Sequence, residues 1–466
     1  MTGAMLGAFL ALLASGLPVA LAMATASLVY VMVTGTVPDY VVIHRMVGGL
    51  DSFPLLAVPF FILAGNLMNT AGITNQIYNF ALSLVGWMKG GLGHVNVVGS
   101  MIFSGMSGTA IADAAGLGTI EIKAMNDHGY PIEFSVGVTA ASATLGPIIP
   151  PSLPFVIYGM MANVSIGQLF LGGVIPGLVM SVLMMLTVSY YAHTRGYGSD
   201  TPFSWLKLSR ATLEIVVVLA FPLVIWLLTL AEVSVNEAVG ASFAILLGLD
   251  WIFKFSAVMA LMAPVILIGG MTMGWFTPTE AAVAAVVWAL FLGLVRYRSL
   301  SLRMLVKASM DTIETTATVL LIVAAASIFS WLLTVTHVTD AVAEWVLGFT
   351  QNPKVFLMLA NVLMLFVGCF LETTAAILLL VPILMPIVLK LGIDPVHFGL
   401  VMVLNLMIGL LHPPMGVVLF VLARVAKLSV ERTTMAILPW LVPLLISLIL
   451  ITYIPEITLW LPRQFF

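Results

Sequence analysis

Two parts of the chain carry residues whose oxygen atoms could bind a small cation. The first is Ser-Gly-Met-Ser-Gly-Thr-Ala at 104–110, followed by Gly-Pro-Ile-Ile-Pro-Pro-Ser at 146–152. The second is Glu-Thr-Thr-Ala-Ala at 372–376, followed by Gly-Leu-Leu-His-Pro-Pro-Met-Gly at 409–416. Proline inside a helix removes an N–H and displaces a carbonyl, and unwound backbone at membrane depth lies only against protein or an aqueous cavity. The freed carbonyls, with Ser and Thr hydroxyls, are the hard oxygen ligands that small cations prefer.

These two parts resemble each other, which indicates an internal duplication. Thr109-Ala110 aligns with Thr374-Ala375 when the offset is moved by two residues. Paired apolar segments interrupted by Gly and Pro in corresponding halves point to a transporter binding site. The alternative is that the small residues only let helices approach closely; two Ser/Thr turns, each followed by Gly-xxx-Pro-Pro, favour the functional interpretation. The pairs that align at a single offset are Gly129 with Gly392, Gly146 with Gly409, Pro150 with Pro413 and Pro151 with Pro414.

The composition indicates a polytopic membrane protein. Of 466 residues, 61% are hydrophobic and 8% are charged, and the mean hydropathy is +1.17. A soluble domain carries roughly a quarter charged residues, so this chain cannot form a fully wetted surface. The net charge of −3 excludes a basic nucleic-acid binder. The single cysteine, Cys369, excludes an internal disulfide and a cysteine-based zinc site.

Long uncharged runs predict an all-α fold. Residues 1–38, 52–88 and 134–194 contain no Asp, Glu, Lys or Arg, and about 20 helical residues span a bilayer. Strands of a membrane barrel would instead alternate over about 10 residues. The short, adjacent runs 355–371 and 373–389 are predicted to be the arms of a re-entrant hairpin. The first run lacks a basic flank and a cleavage site, so we expect a retained span. Further candidate runs are 215–231, 238–253, 255–274, 281–295, 315–336, 396–422 and 433–454.

Clusters of basic residues predict the orientation, because cytoplasmic loops carry an excess of Lys and Arg. Four candidate crossings separate the first two clusters, which places both on the cytoplasmic side. The first cluster is Arg195, Lys207 and Arg210, the second is Arg296, Arg298, Arg303 and Lys307, and a third is Arg424, Lys427 and Arg432.

At these motifs the chain resembles the large membrane subunit of tripartite ATP-independent periplasmic (TRAP) transporters, from about residue 5 to 455. The sequence departs from the family pattern at 212–255, where an additional apolar hairpin is predicted. The stretches that carry the resemblance are 59–65 (Pro-Phe-Phe-Ile-Leu-Ala-Gly), 104–113, 146–154, 274–282 (Gly-Trp-Phe-Thr-Pro-Thr-Glu-Ala-Ala), Glu372 and Pro413-Pro414.

The resemblance implies an elevator-type transporter of the ion-transporter superfamily, with a scaffold and a transport domain built from two inverted repeats. Each repeat would supply a re-entrant hairpin and a broken helix. The implied system imports organic acids with sodium ions across the bacterial inner membrane. It needs a separate small four-helix membrane subunit and a periplasmic substrate-binding protein. The expected divisions are 1–88 (scaffold), 89–165 (hairpin 1 and its broken helix), 166–345 (scaffold and arm helices), 346–425 (hairpin 2 and its broken helix) and 426–466 (C-terminal scaffold helix).

An organic acid in this site would need positive compensation, yet the runs 90–112, 134–160, 373–389 and 396–422 contain no Lys or Arg. Bound cations and the N-termini of half-helices are therefore expected to supply it. The predicted substrate contacts are Thr109, Ser152 and Thr374. One sodium ion is predicted among Ser104, Ser107, Gly108, Gly146 and Ile149, and a second among Gly368, Thr373, Thr374, Gly409 and His412.

Carboxylates near membrane depth are candidates for function. Asp113 could support hairpin 1 electrostatically, carry a proton, or cap a half-helix at the interface. Glu372 lies beside the second predicted cation site and is expected to be functional, together with Pro150, Pro151, Pro413 and Pro414. Glu280 follows a Thr-Pro helix start, which predicts a capping role.

Two other functions compete with the sodium-coupled permease. An autonomous carboxylate carrier or ion antiporter of the same superfamily would work without a binding protein. An intramembrane enzyme would need a catalytic dyad or a metal motif, and the sequence has no His-Glu-x-x-His, no Gly-x-Gly-Asp and no cysteine cluster. We therefore expect no enzyme activity and no cofactor, with sodium as the coupling ion.

Overall fold

The computed structural model describes residues 2–35, 37–231, 233–253, 255, 257–413 and 416–466, and in them the chain is helical. A short 3₁₀ helix, Phe53–Leu56, precedes α4, and a π-helical turn, Leu292–Arg296, follows α15. The α-helices are α1 (Thr2–Ala14), α2 (Val19–Thr34), α3 (Tyr40–Leu50), α4 (Ala57–Thr70), α5 (Ile73–Val85), α6 (Gly91–Ser107), α7 (Ala110–Ala115), α8 (Leu117–Asp127), α9 (Ile132–Ala143), α10 (Leu153–Ala162), α11 (Ile166–Arg195), α12 (Trp205–Leu230), α13 (Val235–Phe253), α14 (Val258–Thr272), α15 (Pro278–Phe291), α16 (Leu302–Val335), α17 (Val338–Phe349), α18 (Pro353–Gly368), α19 (Thr373–Lys390), α20 (Pro395–Gly409), α21 (Val417–Ala426), α22 (Val430–Tyr453), α23 (Glu456–Leu459) and α24 (Pro462–Phe465).

The lengths of the helices fit a multi-pass membrane protein. Within the described residues, seven helical segments are long and apolar enough to cross a bilayer, α11, α16 and α22 among them. Others, such as α9 and α10, have only 12 and 10 residues. Because a full span takes about 20 residues, helices of this length are too short to cross a bilayer by themselves, and α9, α10, α20 and α21 are here called half-helices.

Two parts of the chain follow the same order of elements. In the first, α6 is followed by α7 and α8, then by the half-helices α9 and α10 and the long helix α11. In the second, α18 is followed by α19, then by the half-helices α20 and α21 and the long helix α22. This shared order agrees with the duplication that the sequence indicates.

The turns between these elements match as well. Gly129 and Gly392 have φ values of +80° and +66° before the first half-helix of each part. Asn163 and Lys427 adopt the left-handed conformation at the ends of α10 and α21. The Oγ atoms of Ser165 and Ser429 then accept N–H groups at the starts of α11 and α22.

Two contacts show which ends of the half-helices meet. Glu133, at the start of α9, forms an ion pair with Arg432, at the start of α22. The hydroxyl of Tyr158, in α10, donates to the carbonyl of Pro395, at the start of α20, at 2.7 Å. The start of α9 therefore lies beside the start of α22, whereas α20 begins beside the later half of α10.

The remaining helices pack around these two parts. Helix α16 contacts α2, α3, α4 and also α19, and α15 packs against α4 and α14. Helices α12 and α13 pack together in the stretch where the sequence predicts an additional apolar hairpin. The predicted cap is confirmed, since Thr277 and Glu280 form a reciprocal capping box at the start of α15.

Candidate functional site

The first helical tip, between α6 and α7, is held tightly against the link between α9 and α10. Gly108 ends α6 with a φ of +63°, a conformation that favours glycine. A Cβ atom there would lie 2.8 Å from the carbonyl oxygen of Pro151. Thr109 caps α7, because its Oγ1 accepts the N–H of Ala112 at 3.3 Å. The tip of hairpin 1 thus touches the non-helical link that contains Pro150 and Pro151.

The α9–α10 link is closed by its own hydrogen bonds. The hydroxyl of Ser152 donates to the carbonyl of Pro147 at 2.5 Å and accepts the N–H of Phe155 at 3.3 Å. Ser152 is fully buried. A Cβ atom at Gly146 would lie 3.1 Å from the backbone of Thr109, so this glycine also lets the link approach the tip.

The second tip, between α18 and α19, begins with a carboxylate cap. The Glu372 carboxylate accepts the N–H groups of Thr374 and Ala375 at 3.0 and 3.4 Å, and the Thr374 hydroxyl at 3.0 Å. Thr373 is buried, and its Oγ1 has no hydrogen-bond partner among the described residues. The first turn of α19 therefore offers one hydroxyl oxygen that no described residue binds.

Two glycines bring α18 and α20 into backbone contact. A Cβ atom at Gly409 would lie 2.7 Å from the Cα of Gly368, and one at Gly368 would lie 3.2 Å from the Cα of Gly409. Both residues stand at the ends of their helices. The last carbonyls of a helix lack intrahelical partners. The Gly409 carbonyl accepts the N–H of His412 at 3.0 Å, but a carbonyl oxygen has a second lone pair, so both end carbonyls are candidate cation ligands.

Both helical tips face one cavity of about 410 Å³. Its wall combines hairpin 1, the α9–α10 link, the start of α19 and the end of α20 with two helices of the surrounding set, α4 and α16. None of the lining residues is Lys or Arg. The lining residues are Ile62, Gly65, Asn66, Asn69, Thr109, Ala110, Ile111, Ala112, Ala115, Gly116, Pro147, Leu153, Pro154, Thr315, Val319, Glu372, Thr373, Thr374, Met407 and Leu410.

The structure brings together only part of the predicted site. Thr109, Glu372, Thr373 and Thr374 line the cavity, whereas the buried Ser152 does not. The Ser104 hydroxyl donates to the carbonyl of Ser100 at 2.5 Å inside the protein.

Other predicted residues lie farther from the cavity or outside the described part of the chain. Ile149 packs against Gly177 of α11. His412 is exposed, and with Pro413 it lines a separate, apolar cavity of about 350 Å³. The side chain of Ser107 and the whole of Pro414 lie outside the described residues.

Asp113 is not an interfacial cap. It is 1% exposed, and Thr109 provides the side-chain cap of α7. The capping alternative is therefore wrong for Asp113.

Sequence reasoning missed the contribution of α4 and α16. Asn66 and Asn69 stand three residues apart on α4, and Thr315 lies on α16. The Asn66 amide donates to Thr312 at 3.0 Å, and Asn69 accepts the Thr74 hydroxyl at 3.2 Å. The sequence contained one signal for this contribution, because two amides lie on one face of a helix that is mostly apolar.

Comparison with known proteins agrees with this arrangement of helices. The YdaH transporter of Alcanivorax borkumensis has a TM-score of 0.58 at 13% identity, covering 88% of this chain and 86% of that one. MtrF of Neisseria gonorrhoeae has a TM-score of 0.51 at 12% identity, with coverage of 88% and 83%. At this identity the likeness concerns the fold alone, which is that of an all-helical, multi-pass membrane protein.

The family follows from the sequence. The model of the tripartite ATP-independent periplasmic transporter, DctM component, matches residues 6–457. The sialic acid TRAP transporter large permease protein SiaM of Vibrio cholerae is 43% identical over 100% of this chain and 99% of its own length. The C4-dicarboxylate TRAP transporter large permease protein DctM of Rhodobacter capsulatus is 31% identical over 98% of each. The chain belongs to the DctM family of TRAP transporter large permeases, and it is not an enzyme.

Proposed function

We propose that the chain imports an organic acid together with sodium ions through the cavity between the two helical tips. The observation that carries the proposal is a cavity at two helical tips whose described lining residues include amide and hydroxyl side chains but no Lys or Arg. An anion there needs positive charge from bound cations and helix N-termini. Relatives are named for sialic acid, C4-dicarboxylates, 2,3-diketo-L-gulonate and isethionate, and anionic acids are the class common to these names.

The sodium sites would lie at the two tips. We place the first at the end of α6 and the α9–α10 link, with ligands from Ser104, Ser107, Gly108, Gly146 and Ile149. We place the second at the ends of α18 and α20 and the start of α19, with Gly368, Thr373, Thr374, Gly409 and the backbone of His412. The free Oγ1 of Thr373 and the Gly368–Gly409 backbone contact support this second site.

The elements of the two parts that precede α11 and α22 would form a transport domain of inverted repeats. In support, α9 starts beside the start of α22, while α20 starts beside the later half of α10. The contacts between the parts are also reciprocal, because α10 packs on α19 and α21 packs on α7. Residues 89–165 and 346–425 would then move as a unit against a scaffold of residues 1–88, 166–345 and 426–466, as in an elevator mechanism.

The transport system would also contain a small four-helix membrane subunit and a periplasmic binding protein, in the bacterial inner membrane. Family membership supports both partners. The sialic acid TRAP transporter permease protein SiaT of Haemophilus influenzae is 38% identical over 96% of this chain but only 66% of its own length. That longer protein has room for a further membrane segment beyond the part that this chain matches.

The proposal is tested by uptake of labelled organic acids into proteoliposomes. We expect sodium-dependent uptake with this chain, the small subunit and the binding protein together, and little uptake by this chain alone. Potassium in place of sodium is the control for the coupling ion. Robust uptake by the lone chain would favour an autonomous carrier, and uptake indifferent to sodium would overturn sodium coupling.

A smaller effect is expected from Asn69, whose amide lines the cavity from α4. Asn69→Ala should raise the substrate concentration for half-maximal uptake about 2- to 12-fold, the effect of one hydrogen bond. Asn79→Ala, on the exposed face of α5, is the matched control. Equal substrate dependence in both variants would show that α4 only packs beside the cavity.

A further inference from the structure

Hairpin 1 encloses two carboxyl groups that the proposed sodium sites do not use. Asp113 of α7 and Glu121 of α8 are each 1% exposed. Neither carboxyl oxygen of Asp113, nor Oε1 of Glu121, has a hydrogen-bond partner among the described residues. Helices α7 and α8 pack against each other, and both pack against α6 and α9, so the two acids lie in one group of contacting helices, where the charge of Asp113 acts on Glu121. An unpartnered buried carboxylate is costly in a membrane protein, so this arrangement calls for a ligand.

A polar network lies between the two carboxyl groups. The Asn96 amide donates to Glu121 Oε2 and to Thr139 Oγ1, both at 2.7 Å. The Ser142 hydroxyl donates to Asn96 Oδ1 at 2.7 Å and lies 3.1 Å from the Ser100 hydroxyl, which donates to it. Hydrogen-bonded side chains thus lead from Glu121 to Ser100 of α6, and α6 also packs against α7, which carries Asp113.

The second repeat contains a matching hydrogen bond between its helices but lacks the two acids. Asn405 of α20 donates to Asn361 Oδ1 of α18 at 2.8 Å, as Ser142 of α9 donates to Asn96 of α6. Yet Thr373–Lys390, the counterpart of α7 and α8, contains no Asp or Glu. The second repeat forms this arm as a single helix, α19, without acids. A helical arm at this place therefore does not require carboxyl groups, and their presence in the first repeat indicates a function of that repeat.

The fit around Glu121 is specific to the first repeat as well. A Cβ atom at Gly99 would lie 2.8 Å from Glu121 Oε1, so this glycine leaves room for the acid. On the first arm of the second hairpin, the buried Met364 stands three residues after Asn361, as Gly99 stands three residues after Asn96.

Among the described residues, no positively charged side chain balances the negative charge of Asp113 and Glu121. On α5, Tyr78 faces Glu121, and on α6 the buried His94 contacts Ser189 of α11 instead. Lys123 of α8 and Arg424 of α21 are exposed. Glu133, at the start of α9, pairs with Arg432 of α22. The described residues also bring no third acidic, histidine or cysteine ligand for a metal ion. A proton is the ligand that neutralises a carboxylate without further donors.

We propose that Asp113 and Glu121 form a proton-binding pair that takes up one proton and releases it during transport. Proton binding converts one carboxylate to a carboxylic acid and changes the charge of the pair from −2 to −1. Ala112 and Ala115 of α7 line the cavity, and in this proposal the proton passes between water in the cavity and the buried Asp113 of the same helix. This inference rests on the proposed transport function and adds a proton to its coupling ions.

The first test does not need transport. Infrared difference spectra of the purified chain in lipid, taken between acidic and alkaline pH, report the carbonyl stretch of protonated carboxyl groups. We expect a band that weakens in both Asp113→Asn and Glu121→Gln but persists in Glu431→Gln, an exposed acid at the start of α22. Size-exclusion profiles and melting curves identify any variant that fails to fold. If one of the two variants fails, the band of the other tests whether the pair binds a proton. A band unchanged in the folded variants, or one abolished by sodium, would overturn the proton pair.

The second test uses the complete transport system at fixed sodium. An inward proton gradient of one pH unit should raise wild-type accumulation by up to about tenfold for one coupled proton. Glu121→Gln should lose this response and keep its dependence on sodium. Wild-type accumulation that ignores the proton gradient overturns the inference while sodium coupling stands. Absence of any sodium-driven uptake would instead refute the proposed function, and the infrared result would still decide whether the pair binds a proton.

Discussion

Gly409→Ala is expected to abolish sodium-driven uptake. The added Cβ would lie 2.7 Å from Gly368 Cα, 2.8 Å from its carbonyl carbon and 3.1 Å from its carbonyl oxygen. These are backbone atoms, so no side-chain rotation relieves the clash and α18 must separate from α20. Overpacking of this kind costs about 1–3 kcal/mol. The displacement would move the carbonyls that we place around the second sodium ion.

Gly348→Ala is the matched control, because Gly348 lies in α17 and a Cβ atom there meets nothing within 4 Å. Gly368→Ala, whose Cβ would approach Gly409 Cα to 3.2 Å, should impair uptake less than Gly409→Ala. Immunoblots of membranes show whether each variant is inserted, and initial uptake rates give the activity. A normally inserted Gly409→Ala protein with wild-type uptake would contradict a functional role for the close contact.

The sequence predicted the helical tips well because Gly and Pro act locally. Gly108, Gly129 and Gly392 adopt the left-handed conformation that other residues avoid. The Pro-Pro pair at 150–151 interrupts a helical segment, as proline does wherever an N–H is needed. Such signals need no knowledge of the tertiary structure, so the broken helices could be located by inspection.

The walls of the cavity were harder to predict, because they depend on contacts between distant parts of the chain. Asn66 matters only because α4 packs beside hairpin 1, and its partner Thr312 is 246 residues away. Ser152 was predicted to contact substrate, yet its hydroxyl caps α10. That role could have been predicted, since Ser before Leu-Pro at a helix start is a capping pattern.

The buried acids show a second reason why part of the site could not be predicted from the sequence. Asp113 drew attention as a single carboxylate, but Glu121 did not. Their relation depends on the break at Gly116, where α7 ends and α8 begins, and on Asn96 across the hairpin. The sequence shows that Thr373–Lys390 contains no Asp or Glu. A comparison of the two repeats, residue by residue, would therefore have indicated that Asp113 and Glu121 are specific to the first repeat.

Thr373→Val is expected to raise the sodium concentration needed for half-maximal uptake. The Thr373 hydroxyl is buried, lines the cavity and has no partner among the described residues. Valine keeps the shape of threonine and removes this oxygen, so a sodium ion at the second tip would lose a ligand. Sodium and substrate binding are linked, with a coupling energy of about 1–3 kcal/mol. Loss of bound sodium should therefore weaken substrate binding by at most the coupling factor, about 5- to 150-fold.

Thr374→Val separates the roles of the two neighbouring hydroxyls. The Thr374 hydroxyl donates to Glu372 at 3.0 Å, so its loss should loosen the cap of α19 and affect sodium dependence less than Thr373→Val does. Thr316→Val is the matched control, because the Thr316 hydroxyl is also buried without a described partner but does not line the cavity. The measurement is a sodium titration of uptake by the complete system for each variant. If Thr373→Val and Thr316→Val share the wild-type sodium dependence, the hydroxyl at the second tip does not bind the ion, and the site must be built from backbone carbonyls alone.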